Sequence, residues 1–186
     1  MSYELVIKSG GTGVELALLQ DKKLLELHRE KQNNKFNVGD IYLGKVKKIV
    51  PGLNAAFINV GYEKDAFLHY LDLGPQFNSQ SKFTRKILKG EFKSAHLGSV
   101  RLDPDIAKEG KITQVLSNAQ HIMVQIAKEP ISAKGPRLSS EITLAGRYLV
   151  LVPFLNKVSV SQKIKNAEER DRLRKIISGI KPLNHG

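Results

Sequence analysis

Residues 41–70, "IYLGKVKKIVPGLNAAFINVGYEKDAFLHY", alternate apolar and polar side chains almost without interruption. Period-two alternation fits a pleated strand with one buried face and does not fit a helix. Ile41, Leu43, Lys45 and Lys47 would share one face, with Tyr42, Val46 and Lys48 on the other. Pro51-Gly52 supplies a turn, "LNAAFINVG" a second strand and "KDAFLHY" a third. Short strands on tight turns predict a small barrel. Within the second strand Ala56, Ile58 and Val60 are more uniformly apolar than Ala55, Phe57 and Asn59. The first set therefore makes the better core face, and Phe57 is expected to project outward. Phe67 stands beside Leu68, and alternation leaves its phase open between core packing and exposure.

Barrel-like sequence resumes at "HIMVQIAKEP" and "PRLSSEI", the fourth and fifth strands, bridged by "ISAKGP". Five strands with a long connection between the third and fourth predict a mainly β chain built on a partly open OB-fold barrel. That connection, residues 74–110, is rich in polar residues and glycine. Its Lys82, Arg85, Lys86, Lys89, Lys93 and Arg101 face only Glu91 before Asp103. It reads as a long, mobile basic insertion, either a solvated loop or an RNA-contacting arm. Residues 1–35 hold three short runs separated by "GGTG" and "DK", a β-meander too small to stand alone. Residues 143–186 continue with "TLAGRYLVLVPF" and "KVSVSQKI" as further strands. A helix then starts at Asn166, with Glu169 completing a capping-box pattern and Gly179 ending it. Leu173, Ile176, Ile177 and Ile180 form its apolar stripe. The chain halts soon afterwards and is expected to be a fragment.

Thirty basic residues against 18 acidic ones leave a net charge of +12. This favours a polyanionic partner, nucleic acid first and an anionic membrane surface second. Cysteine is absent, which excludes disulfides and thiolate metal sites. No apolar run reaches the roughly 18–20 residues of a membrane span. The start lacks a secretory layout, so the cytoplasm is the expected compartment. Single-stranded RNA is held by rings under splayed bases and cations along the phosphates. Phe57 and Phe67 are candidates for the first role, against ordinary core packing. Lys45, Lys47 and Lys134 are candidates for the second. Lys134 precedes Gly135 in a turn that permits close backbone approach, with a merely solvated lysine as its alternative. Asp103 and Asp105 do not amount to the converging carboxylates of a two-metal site. The five histidines show no ligand spacing, and no nucleophile elbow or phosphate loop occurs. No catalytic residue and no metal site is predicted.

"GDIYLGKVKKIVPGLNAAFINVGYEKDAFLH" and "VQIAKEPISAKGPRLSSEITLAGRYLVLVP" together resemble the amino-terminal part of the ribonuclease E/G family of bacterial endoribonucleases. The resemblance implies an S1-type OB barrel over residues 36–142, carrying the insertion. It makes residues 1–35 the first piece of a ribonuclease-H-like sheet. Residues 143–186 become the start of an α+β region that senses an RNA 5′ monophosphate. The family's two RNA-contacting aromatics fall on Phe57 and Phe67, its turn lysine on Lys134, and two sensor positions on Gly146 and Val150. Gln162 and Lys163 stand where the family often has an arginine pair, and the insertion is longer than usual. The sensor's arginine–threonine grip and the catalytic aspartates are expected beyond Gly186. The implied parent hydrolyses single-stranded RNA with magnesium. This chain would then bind RNA, hold no cofactor, cleave nothing and pair with the rest of the parent enzyme. The alternative is a stand-alone S1-type adaptor in translation or RNA chaperoning. Oligomeric state is not legible.

Overall fold

The computed structural model of the chain describes residues 2–10, 13–31, 35–91 and 96–186. They form two compact units, residues 1–37 and 38–186. The first unit is an antiparallel meander of β1 (Tyr3–Gly10), β2 (Gly13–Gln20) and β3 (Lys23–Lys31). Asp21 and Lys22 make the two-residue turn between β2 and β3, both with positive φ. Leu5, Ile7, Leu24, Leu25 and Leu27 of this sheet are exposed. A three-stranded sheet with apolar side chains open to solvent is marginal by itself.

The second unit is organised around a five-stranded barrel. Its strands are β4 (Ile41–Val50), β5 (Ala55–Asn59), β6 (Ala66–His69), β7 (His121–Lys128) and β8 (Arg137–Ser139). Their order is β4-β5-β6-β8-β7, and pairing of β4 with β7 closes the ring. The barrel is closed rather than partly open. Antiparallel pairs dominate, with β6 and β8 parallel, as an OB-type barrel requires. The interior is filled from alternate positions: Val46, Ile58, Leu68, Ile122, Val124, Ile126 and Leu138 are all at most 1% exposed. Each such side chain contributes about 1.5–3 kcal/mol by leaving water. Gly44 makes room for them, since a Cβ there would lie 2.5 Å from the Ile58 side chain.

Residues 74–110 are not a structureless arm. They carry α1 (Phe77–Leu88), a twelve-residue helix. Its inner face is Phe77, Gln80 and Thr84, all buried. The Gln80 amide donates to the Ser140 carbonyl at 3.0 Å, and the Thr84 hydroxyl to the Gln80 carbonyl at 2.9 Å. The Asp103 N–H donates to Ser79 Oγ at 2.8 Å, folding the return segment against the helix. Asn54, in the left-handed conformation after the Pro51–Leu53 turn, fastens the far end of the connection. Its side chain accepts from the Ile112 N–H at 2.7 Å and donates to the Gly110 carbonyl at 2.9 Å. Lys93 lies outside the described residues. A single helical turn, α2 (Ile112–Val115), then leads to β7.

Beyond the barrel the predicted strands shrink to a two-stranded ribbon, β9 (Leu144–Ala145) and β10 (Val150–Leu151). "KVSVSQKI" forms no strand. Its alternation is real, but no neighbouring strand takes up its backbone groups, and a strand needs that partner. The helix α3 (Ala167–Ile180) starts where expected, with Asn166 Oδ1 accepting from the Glu169 N–H at 3.0 Å. The Glu169 carboxylate, however, is engaged by Arg172 rather than closing a capping box. Gly179 lies inside the last turn, and the helix ends at Ile180, with Lys181 as its extended cap before Pro182. Of the apolar stripe, Leu173 and Ile177 are partly covered while Ile176 and Ile180 are exposed.

Candidate nucleic-acid interface

On β5 and β6 the alternation decides which rings reach the surface. Ala56, Ile58, Ala66 and Leu68 are fully buried, so Phe57 and Phe67 point out of the barrel and are partly exposed. The two phenylalanines are direct register partners. Their ring centroids lie 5.9 Å apart at an interplanar angle of 68°, an edge-to-face pair whose electrostatics hold both rings. The His69 ring continues the patch, 6.5 Å from Phe67. Its Nδ1 accepts from the Leu71 N–H at 3.0 Å, which fixes the ring.

Two β-bulges bring cations to both ends of this pair. On β4 the register shifts between Val46 and Lys48, so Lys48 becomes the partner of Phe57. Strict alternation places Lys48 on the face opposite Lys47; the bulge overturns that, and both lysines are exposed. On β7 a second shift between Ile126 and Lys128 pairs Lys128 with Arg137, itself the partner of Phe67. One row of register partners thus crosses all five strands: Lys48, Phe57, Phe67, Arg137 and Lys128. Arg137 is held by Asp72 through a bidentate pair at 2.9 and 3.0 Å, which fixes the guanidinium plane.

The other predicted cations border this row. Lys45 is exposed and pairs in register with Asn59, two residues from Phe57. Lys47 reaches Asp65 at 3.0 Å, so its charge is partly offset. Lys134 is exposed on the loop entering β8, its N–H donating to the Ile131 carbonyl at 3.0 Å. The loop is pressed against the start of β6. The Phe67 N–H donates to the Pro136 carbonyl at 2.9 Å. A Cβ on Gly135 would lie 2.2 Å from the Asp65 carbonyl oxygen. Only glycine permits that approach, which holds the loop carrying Lys134 against the start of β6. Among the described residues no carboxylate lies within ion-pair distance of Lys45, Lys48, Lys128 or Lys134.

Register thus places Lys45, Phe57 and Phe67 on the outer face of adjoining strands, with Lys47 paired to Asp65 just before β6. Lys134 stands on the loop packed against the start of β6. Gly146 and Val150 sit instead on the β9–β10 ribbon, where the Gly146 N–H donates to the Leu149 carbonyl at 2.8 Å. Lys48, Lys128 and Arg137 are the members of the row that alternation alone does not find. The available signal was the adjacent pair Lys47-Lys48, which cannot both be exposed in a regular strand with one buried face.

A family profile described as the ribonuclease E/G family matches residues 143–186. Ribonuclease G of Escherichia coli is 34% identical over 178 residues, covering 96% of this chain and 32% of that protein. Ribonuclease E of a Synechocystis species is 41% identical over 150 residues, covering 80% of this chain and 18% of that protein. The chain belongs to the ribonuclease E/G family. Ribonuclease E of a Nostoc species matches similarly, at 40% identity over 80% of the chain. The chain spans about a third of the length of its ribonuclease G relatives. The match to ribonuclease G runs through the barrel as well as the ribbon and α3.

Family membership raises the question of magnesium. Among the described residues no group of three or more His, Asp or Glu side chains converges as an ion would need. The described residues do not fit a metal centre. Among them, too, no helix is long and apolar enough to cross a membrane.

Proposed function

We propose that this chain supplies the RNA-holding part of a ribonuclease E/G-type endoribonuclease, and that its 186 residues bind single-stranded RNA without cutting it. One observation carries the reading: the row Lys48, Phe57, Phe67, Arg137, Lys128 across the barrel exterior. Paired rings offer π-faces to unpaired bases, each stack being worth about 1–3 kcal/mol. Cations at both ends meet the phosphates on either side of the stacked bases, releasing counterions. Because a ring accepts any base, the row grips RNA with little sequence preference. Arg137, fixed by Asp72, is the geometrically constrained cation, and Lys134 the mobile point charge.

Residues 36–142 are read as the S1-type domain, residues 1–35 as the first piece of a ribonuclease-H-like sheet, and 143–186 as the start of the 5′ sensor. Gly146 and Val150 would face the RNA 5′ end from the β9–β10 ribbon. Magnesium and the water it activates are assigned to the remainder of the enzyme, and the cytoplasm is the proposed compartment. The test incubates the purified chain with labelled single-stranded RNA and magnesium. Saturable binding with intact RNA is expected. Magnesium-dependent cutting would overturn the binding-only reading, and absence of binding would overturn the interface.

A further inference from the structure

The inserted helix creates a second feature of the surface, a cleft of about 720 Å³ between α1 and the segment entering β7. Lys82, Arg85, Lys89, Asp103, Gln120 and His121 contribute to its lining. The helix is fixed there, since the Gln120 amide donates to Ser81 Oγ at 2.6 Å. Asp103 pairs with Lys82 at 3.2 Å and offsets that charge. Lys89 has only the exposed Glu91 at 3.7 Å, and Arg85 has no carboxylate within ion-pair distance among the described residues. With Lys82, Arg85 and Lys89 against Asp103 alone, the cleft lining is net positive and suits an anionic partner.

Its position relative to the aromatic row follows from strand register. Lys45 pairs with Asn59 on one side and with His121 on the other. All three are exposed, so Lys45 and His121 link the Phe57 end of the row to the mouth of the cleft. We infer that the RNA strand continues from the stacked bases past Lys45 and His121 into this cleft, where Arg85 and Lys89 hold its phosphates. This rests on the RNA-holding reading of the barrel and extends it. The basic insertion is then a fixed second track for the sugar–phosphate backbone, not a diffuse source of attraction.

The test compares single-stranded RNAs of about four and about twelve nucleotides, both within the range of site sizes that OB folds bind. Binding is followed by fluorescence anisotropy across a salt series, with Arg85→Ala/Lys89→Ala against a control of equal charge change, Lys86→Ala/Lys165→Ala. All four side chains are exposed, and neither control residue lines the cleft. The expected result is that the cleft variant binds the short RNA normally. Its log–log salt slope for the long RNA should be shallower by about 1.4, two phosphate contacts at about 0.7 each. An unchanged slope, or an equal loss in the control pair, overturns the track. If the wild-type chain binds neither RNA, the barrel reading itself has failed and the track falls with it.

Discussion

Replacing Phe57 by Ala separates the two roles a strand phenylalanine can have. A buried phenylalanine cut to alanine costs about 3–5 kcal/mol of stability. Phe57 is outside the barrel, above a core of Ala56, Ile58 and Leu68 that the substitution does not touch. What is lost on folding is chiefly the edge-to-face contact with Phe67, about 0.5–1.5 kcal/mol. The binding loss is expected to be the larger effect. One stack of about 1–3 kcal/mol corresponds to RNA affinity weaker by roughly 5- to 150-fold. The ring carries no charge, so the salt dependence of binding should keep its slope while every point shifts. Phe57→Leu refines the comparison, since it keeps most of the apolar bulk and loses the π-face. It should retain stability and still bind weakly. Urea denaturation and anisotropy on the same preparations provide both numbers. Unaltered affinity in a folded Phe57→Ala chain would refute the stacking role. A stability loss of about 3–5 kcal/mol would refute the outward placement.

Lys134→Ala should weaken RNA binding and reduce the salt slope by about 0.7, as expected for one phosphate contact, with denaturant stability unchanged. Gly135→Ala forces a methyl group against the Asp65 carbonyl oxygen. It should cost about 1–3 kcal/mol in denaturation and lower RNA affinity as well, by displacing Lys134. Asn54→Ala leaves the Ile112 N–H and the Gly110 carbonyl without their partner. That should cost about 1–3 kcal/mol in denaturation. Hydrogen exchange should rise where the insertion rejoins the barrel. In α3 the hydrogen bond from Arg172, with its positive charge, holds the Glu169 carboxyl below the usual glutamate range. The folded form thus binds this proton less readily than the unfolded one. The pair's support is present above the ordinary glutamate value and is lost as pH falls through the lowered one. Carbon-detected NMR should show the depressed midpoint, and Arg172→Ala should restore it.

The barrel was legible because its signal is local. Ala56, Ile58 and Val60 against Phe57 and Asn59 settle one strand's orientation by composition alone. The tight turns then place the neighbouring strands. Phe67 resolved only through pairing, because Ala66 and Leu68 are pulled inward by contacts made elsewhere in the ring. The bulges left no trace beyond the adjacent lysines 47 and 48, and they decide which cations flank the rings. The helix α1 escaped for a different reason. Its buried face is Phe77, Gln80 and Thr84, at helical spacing but with a single apolar member. The polar pair is satisfied by Ser140 and by the helix itself. Hydrophobic periodicity cannot register a face packed through hydrogen bonds. The opposite error occurred at 157–164, where alternation has no strand to pair with.

The most direct check is an NMR titration of the chain with a single-stranded RNA of about twelve nucleotides, within the range one OB barrel binds. The account predicts that backbone resonances of Lys48, Phe57, Phe67, Arg137 and Lys128 move together with a single affinity. If RNA binds and those five resonances stay in place while others shift, the interface lies elsewhere on the protein.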